Sequence, residues 1–271
     1  MGLGPAKFVA AANHCTQTFF DEVTQCAVSS NGHKQLLGLQ LLQRFEEPRE
    51  TRLGMSAKGF NGHGGAEGVG QEIWDVLTGD AEALVRIGVL KQIEDIPLFV
   101  EGVGNDITSD LTTRVIFQPL VDFTNEMLTQ FPGLTGKTGV KVFSRQVWEP
   151  KAIAWTVRQV KLPTVDGVPL LLVPREWTRH DLTLNGGRFY DTSVLSHVQD
   201  QRSTKTKDGK VLKTSKDRLR EEESLRRGYD TIMRIVEDAY GKNTNVVEDF
   251  KRFARERYKP TTDSQVKRRT T

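Results

Sequence analysis

The stretch from Val140 to Val173 constrains the fold more than any other part of the chain. Val140–Trp148 and Ile153–Val160 alternate apolar and polar residues, and Val168–Val173 is a short apolar run. A period of two turns one face of each segment toward a core. The breakers Glu149-Pro150-Lys151 and Pro163-Thr164-Val165-Asp166-Gly167 are far shorter than the dozen or so residues a parallel crossover needs. An antiparallel three-stranded meander is therefore expected. Trp148 and Trp155 are large enough to anchor whichever face meets the helices.

Around that meander the spacing is helical. Phe19, Val23 and the run Gln35–Leu42 suggest two helices, and Pro48 punctuates after them. Gly59–Gly70 holds six Gly in twelve residues and reads as a loop. Helices are expected from about Gln71 to Leu77 and around Ala81–Val89, followed by Ile96-Pro97-Leu98-Phe99-Val100 as an edge strand or extended connector. Leu111, Val115, Leu120, Phe123 and Met127-Leu128 fall at helical spacing up to Phe131-Pro132-Gly133, with Pro119 kinking or dividing the helix. Phe189–Gln201 is amphipathic, and Ser203–Ser215 is a polar, Lys-rich insert whose Asp208-Gly209 reads as a hairpin turn. Further helices are expected at about Lys216–Arg227, Tyr229–Tyr240 and Val246–Tyr258. The expected fold is α+β, dominated by helices, with a small central antiparallel three-stranded sheet. It is read as one domain over residues 1–258, in three parts: a helical part with the Gly-rich loop over 1–105, a helix plus the meander over 106–200, and a basic helical part over 201–258. Residues 259–271 read as a disordered basic tail.

Composition narrows the function classes. The chain has 271 residues, 37% of them hydrophobic and 27% charged, enough to bury a core and too much for wholesale disorder. No window approaches 18 uncharged apolar residues, so a membrane span is excluded. The N-terminus lacks a basic segment followed by an apolar run, so no secretory signal is expected, and Lys7 stands where a myristoylation motif wants Ser or Thr. Cys15 and Cys26 make neither a disulfide scaffold nor a four-ligand zinc site, and they read as core residues of a protein in a reducing cytoplasm. The net charge of +3 hides an asymmetry. Residues 201–271 carry 20 Lys/Arg against 12 Asp/Glu, leaving 18 against 23 in residues 1–200. A basic last quarter on an acidic remainder points to a polyanionic partner, DNA or RNA.

Five motifs could carry chemistry. The Gly-rich loop precedes a helix, but Gly70-Gln71-Glu72 lacks the Lys-Ser/Thr ending of a phosphate-binding loop, and a loop with left-handed turns accounts for it; His63 within it reads as solvated. Asp106 and Asp110 stand four apart where a helix begins, so they share a face about one turn apart. Such a pair can hold Mg²⁺ or Mn²⁺, although N-capping and the helix dipole account for acids there equally well. Glu149-Pro150-Lys151 has the acid-x-Lys form of PD-(D/E)xK nucleases, and helix, meander, helix is that fold's core order; Pro150 inside the triplet and Val173 on the third strand count against it. Arg175 and His180 have the spacing of the HEPN ribonuclease motif but follow a strand-like run, which makes a polar loop the better reading. Arg202–Arg220 holds eight Lys/Arg and two Asp, and Lys205, Lys207, Lys210, Lys213 and Lys216 would grip phosphates without reading sequence. No aromatic residue interleaves them, so base stacking is not suggested there.

Several phrases resemble an uncharacterised family of bacterial proteins: Pro48-Arg49-Glu50-Thr51-Arg52-Leu53-Gly54, the Gly-rich loop, Glu94–Gly104, the Val-Gly-x-Asp-x-x-Ser-Asp motif ending at Asp110, Leu162-Pro163, and Leu171-Leu172-Val173-Pro174-Arg175. The likeness covers about residues 40–240, with Arg175 where the family reads Lys. It implies a bacterial, anti-phage defence setting, with other subunits of a defence complex as partners. The expected function is a nucleic-acid-directed defence protein. In its enzymatic form this would be a divergent metal-dependent nuclease, in which Asp106 and Asp110 hold a divalent metal that activates water and Arg175 balances charge at the phosphate. The alternative is a non-enzymatic sensor or adaptor for a protein partner, with the Asp pair purely structural.

Overall fold

The computed structural model describes residues 6–51, 66–135, 139–178 and 184–257, without the side chains of Ala66, Asn105, Asp106 and Thr135. In chain order the helices are α1 (Ala6–Ala27), α2 (Gly32–Gln43), α3 (Ala66–Thr78), α4 (Glu82–Arg86), α5 (Ile96–Phe99), α6 (Asn105–Val115), α7 (Phe117–Gln130) and α8 (Pro132–Thr135). Strands β1 (Gly139–Glu149), β2 (Ala154–Val165) and β3 (Val168–Pro169) follow. The chain continues through α9 (Gly186–Phe189), α10 (Leu195–Gln201), β4 (Thr204–Lys205), β5 (Val211–Leu212), α11 (Lys216–Glu221), α12 (Tyr229–Gly241) and α13 (Val246–Glu256). This is the helix-dominated α+β fold, with a three-stranded antiparallel sheet in the order β1-β2-β3 and a separate β4-β5 hairpin. Among the described residues no helix is long and apolar enough to cross a membrane.

The body expected over residues 1–258 is organised as two compact units, which the chain enters in alternation. One holds the described residues up to Trp74 and again from Asn105 to Thr178; the other holds Asp75–Gly104 and the described residues from Leu184 to Arg257.

In the first unit α1 buries Phe8, Ala12, Cys15, Phe19, Val23 and Cys26, a stripe at steps of three or four residues. Each fully buried Phe there contributes roughly 1.5–3 kcal/mol. The β1–β2 pair is in register from Gly139↔Thr164 to Glu149↔Ala154, with Trp148 opposite Trp155. The two indoles and Phe19 form one aromatic group, with ring centroids 5.1 Å apart for Phe19–Trp148 and 5.5 Å for Trp148–Trp155. Trp148 Nε1 donates to Thr18 Oγ1 and Trp155 Nε1 to the Leu41 carbonyl, both at 3.0 Å. The tryptophans thus anchor the sheet as the sequence suggests. Pro119 stands in the first turn of α7, where its missing N–H is no loss, and α6 ends just before.

Three expectations need correction. The third strand is two residues long, not six. Leu170 N–H still donates to the Pro163 carbonyl (2.8 Å), and beyond it the backbone leaves the ladder, because Leu171 N–H donates to the Glu50 carbonyl (2.8 Å) and Leu172 N–H to Thr124 Oγ1 (2.9 Å). The Gly-rich region does not remain a loop to Gly70, since α3 starts at Ala66. Gly70 is needed for proximity: a Cβ there would lie 2.5 Å from the Leu42 carbonyl oxygen, and one on Gly38 of α2 would lie 2.5 Å from Cys26 Cβ and the Trp74 ring. The rest of that region, His63 included, lies outside the described residues, as do Arg179, His180 and the 259–271 tail. Finally, Ile96–Val100 is no strand. Pro97 occupies the first turn of α5, where its fixed φ suits a helix, and the Asp95 carboxylate accepts from the Gln92 (2.9 Å) and Lys91 (3.2 Å) amides.

The second unit centres on Phe99, Phe189 and Phe250, with centroids 6.1 Å apart for Phe99–Phe189 and 5.1 Å for Phe189–Phe250. Helix α9 runs into α10 through a π-wound turn, Tyr190–Val194. Lys251 is buried on α13 and pairs with the buried Asp95, while also donating to Gln92 Oε1 at 2.5 Å. Burial pushes the Asp95 carboxyl above its usual range, against the opposing pull of Lys251.

Candidate nucleic-acid interface

The Lys-rich insert forms the expected hairpin. Thr206 N–H donates to the Lys210 carbonyl (2.9 Å), and Gly209 N–H donates back to the Thr206 carbonyl (3.0 Å). Gly209 has φ +78°. A three-residue loop with a left-handed third residue is a common hairpin closure, and glycine fits that position without strain. The base is clamped: Gln199 Nε2 donates to the Thr214 carbonyl (2.6 Å), and Ser215 caps α11. Arg202 Nη1 reaches both Glu222 carboxylate oxygens at 2.8 Å.

That clamp divides the five lysines. Lys213 pairs with Asp200. Lys216 donates to the Asp191 carbonyl (2.6 Å), and burial, with Arg220 nearby, lowers its pKa. Arg220 in turn pairs with Asp191 at 3.0 Å. Lys213 and Lys216 are therefore bracing residues. Lys205, Lys207 and Lys210 lie further out, exposed, with no acidic partner among the described residues. Val211 and Leu212 beside them are about half exposed (46% and 49%). Three ammonium groups on flexible stems, carried by a fixed hairpin, suit the spaced oxygens of a phosphate backbone.

The acidic pair is seated as its spacing implies. Asp106 and Asp110 both belong to α6. The Asp106 side chain lies outside the described residues. Asp110 is half-buried and opposes, after Glu50 and Glu46, the lowering that burial imposes on the Arg114 guanidinium. Asp110 stands one helical turn before Arg114 on α6. Among the described residues no group of three or more His, Cys, Asp or Glu is arranged to hold a metal ion, and the pair expected to hold Mg²⁺ or Mn²⁺ falls partly outside them, since the Asp106 side chain is not described. Arg175 is exposed at the start of a one-turn helix, Arg175–Trp177. The Glu149-x-Lys151 triplet lies at the β1–β2 corner, not along a strand. The Lys151 amide donates to Glu149 Oε1 (3.3 Å), and Arg158 takes up the same carboxylate. This departs from the nuclease arrangement, in which the acid and Lys share a strand.

The buried charges were not read from sequence. Arg114 is 1% exposed, and its guanidinium donates to the carbonyls of Glu46 (2.5 Å), Glu47 (3.0 Å) and Gln146 (3.1 Å). The carboxylate of Glu50 lies between Arg114 and Arg145. The only sequence signal was position: Arg114 follows Leu111 by three, and Lys251 adjoins Phe250, each at the edge of an apolar stripe.

Among known proteins, neither the curated set nor the solved structures contain a match to this chain. A family model described as a domain of unknown function, DUF8370, matches residues 5–185, two thirds of the sequence. The chain is a member of the DUF8370 family.

Proposed function

We propose that this chain is a nucleic-acid-binding protein that holds the phosphate backbone through the 203–215 hairpin, and that it serves in the bacterial defence setting its resemblance implies. The supporting observation is the exposed trio Lys205, Lys207 and Lys210, none of them in an ion pair among the described residues, on a hairpin whose base is fixed by Gln199, Lys213 and Lys216. Of the two forms of this reading, the geometry favours the non-enzymatic one. The Glu149 carboxylate is taken up by Arg158, and Asp110 lies close enough to Arg114 to oppose the lowering of its pKa.

The test is binding of labelled DNA and RNA across a salt series. Changing Lys205, Lys207 and Lys210 to Gln should weaken binding about equally across sequences. The slope of log affinity against log salt should fall by up to about 3 on duplex, at roughly 0.9 for each phosphate no longer neutralised. An unchanged slope would remove the hairpin from the interface. Repeating the incubation with plasmid and RNA in Mg²⁺, Mn²⁺ or EDTA asks whether strands are cut; metal-dependent cleavage would restore the nuclease form. Intact nucleic-acid binding with loss of protection in cells would instead make the hairpin a docking surface for an acidic subunit.

A further inference from the structure

Within the second unit a second cationic cluster lies where α9 meets α13, and none of it was singled out by composition. Arg257 stacks on the ring of Phe253, its Cζ 3.8 Å from the centroid, and Arg188 approaches the same ring at 5.8 Å. Phe253 in turn stacks on the buried Phe250, with centroids 6.4 Å apart and an interplanar angle of 17°. Arg227 comes in from the chain before α12. A Cβ on Gly187 would fall 1.7 Å from Arg227 Nη2, so the guanidinium lies against the first turn of α9, a place left open by the missing side chain. Arg188 and Arg227 have no carboxylate within ion-pairing distance among the described residues, and Arg257 has only Glu256, at 4.0 Å. Phe253 is partly exposed and Arg227 and Arg257 are exposed.

Three guanidiniums gathered with a single distant acid, Glu256 at 4.0 Å from Arg257, repel one another, and a bound polyanion would relieve that repulsion. Arginine suits the task because its planar fork meets phosphate oxygens in pairs while its face stays stacked. A guanidinium stacked on a ring has a second face, and an unpaired nucleobase can add to it; bases inside a duplex cannot. We infer that Arg188, Arg227, Arg257 and Phe253 form a site for single-stranded nucleic acid, with Arg188 and Arg227 on the phosphates and the Phe253–Arg257 stack under a base. The inference rests on the nucleic-acid reading above and deepens it. The lysine hairpin supplies phosphate contacts that any duplex or single strand can make, and the arginine–aromatic cluster supplies the preference for unpaired strands.

Fluorescence anisotropy with labelled 20-mers of dT and rU and a 20-bp duplex tests this, with the full chain throughout. Arg257→Gln changes an exposed residue and should leave the fold intact, and Phe253→Leu keeps an apolar filler against Phe250; thermal melts check both. Each variant, and Arg188→Gln with Arg257→Gln, should weaken single-strand binding roughly 5-fold or more, with duplex binding within about 2-fold of wild type. The dT and rU arms show whether DNA or RNA is the preferred strand. Folded variants that bind single strands like wild type would overturn the inference, as would equal losses on duplex and single strand. Polyglutamate competing as well as an oligonucleotide would also overturn it. If the hairpin variant loses binding and the arginine variants do not, only this inference falls; if wild type binds no nucleic acid, the broader reading falls with it.

Discussion

Arg114 commits its donors to three backbone carbonyls at once, so the segment at Glu46 and Glu47 is tied to strand β1 through one side chain. Its charge is balanced by the carboxylate of Glu50, itself 5% exposed. Removing one partner of such a group is costly because the other charge stays buried. Arg114→Met should therefore lower unfolding free energy by about 3–5 kcal/mol, read from urea denaturation. Arg114→Lys should recover only part of the loss, since a single ammonium cannot span three carbonyls in a fixed fork. A midpoint within error of wild type for Arg114→Met would show that the network is incidental. Cys15 and Cys26 illustrate the opposite kind of buried group. Both thiols are pushed up to about 11, mainly by burial, and are inert core fillers as their lack of a partner pattern suggested.

At the scale of elements, what the sequence disclosed and what it hid divide by mechanism. The β1–β2 hairpin, the anchoring tryptophans, the α6–α7 division at Pro119 and the turn at Asp208-Gly209 were all legible, because each rests on local periodicity or backbone chemistry. The shortness of β3 was not, because it depends on Glu50 and Thr124, distant in sequence, capturing the Leu171 and Leu172 amides. The glycines of α3 misled for a related reason: composition cannot tell a glycine that permits a turn from one that permits contact. The two roles separate experimentally. A methyl group on Gly68 would meet nothing within 4 Å, whereas one on Gly70 would run into the Leu42 carbonyl. Gly68→Ala should stabilise by roughly 0.5–1 kcal/mol through helix propensity. Gly70→Ala should destabilise by about 1–3 kcal/mol through forced separation of α2 and α3. Thermal or urea unfolding of the two variants side by side reads the difference, and equal shifts would contradict the packing account. The candidate site was legible in the same partial way. The five lysines were visible as a run, but that two of them brace the hairpin, and that Arg188, Arg227 and Arg257 come together, required the fold.

For the whole molecule, the charge asymmetry of the sequence acquires a location. The basic last quarter supplies both the lysine hairpin and most of the arginine cluster, and both belong to the second unit. Like the first unit, it is assembled from separated stretches, here Asp75–Gly104 and the described residues from Leu184 onward. Ile96, Leu98 and Phe99, at most 1% exposed in the folded protein, come from the first stretch, and Phe189 and Phe250, which complete their cluster, come from the second. A ribosome making this chain must therefore leave an apolar segment waiting while more than eighty further residues, from Asn105 to Arg188, emerge before its partner appears. A chain stopped at Asp181 recreates that interval permanently. It should retain the β1–β2 sheet by circular dichroism yet bind a hydrophobic dye and sediment as aggregates, whereas the full chain should do neither. A monomeric, dye-silent truncation would mean that the first stretch can bury itself without its later partner. Between those outcomes lies the practical meaning of the interleaved topology: the arginine cluster proposed to favour unpaired strands cannot assemble until Arg257 has emerged, so that preference is withheld from every nascent chain that stops short of it.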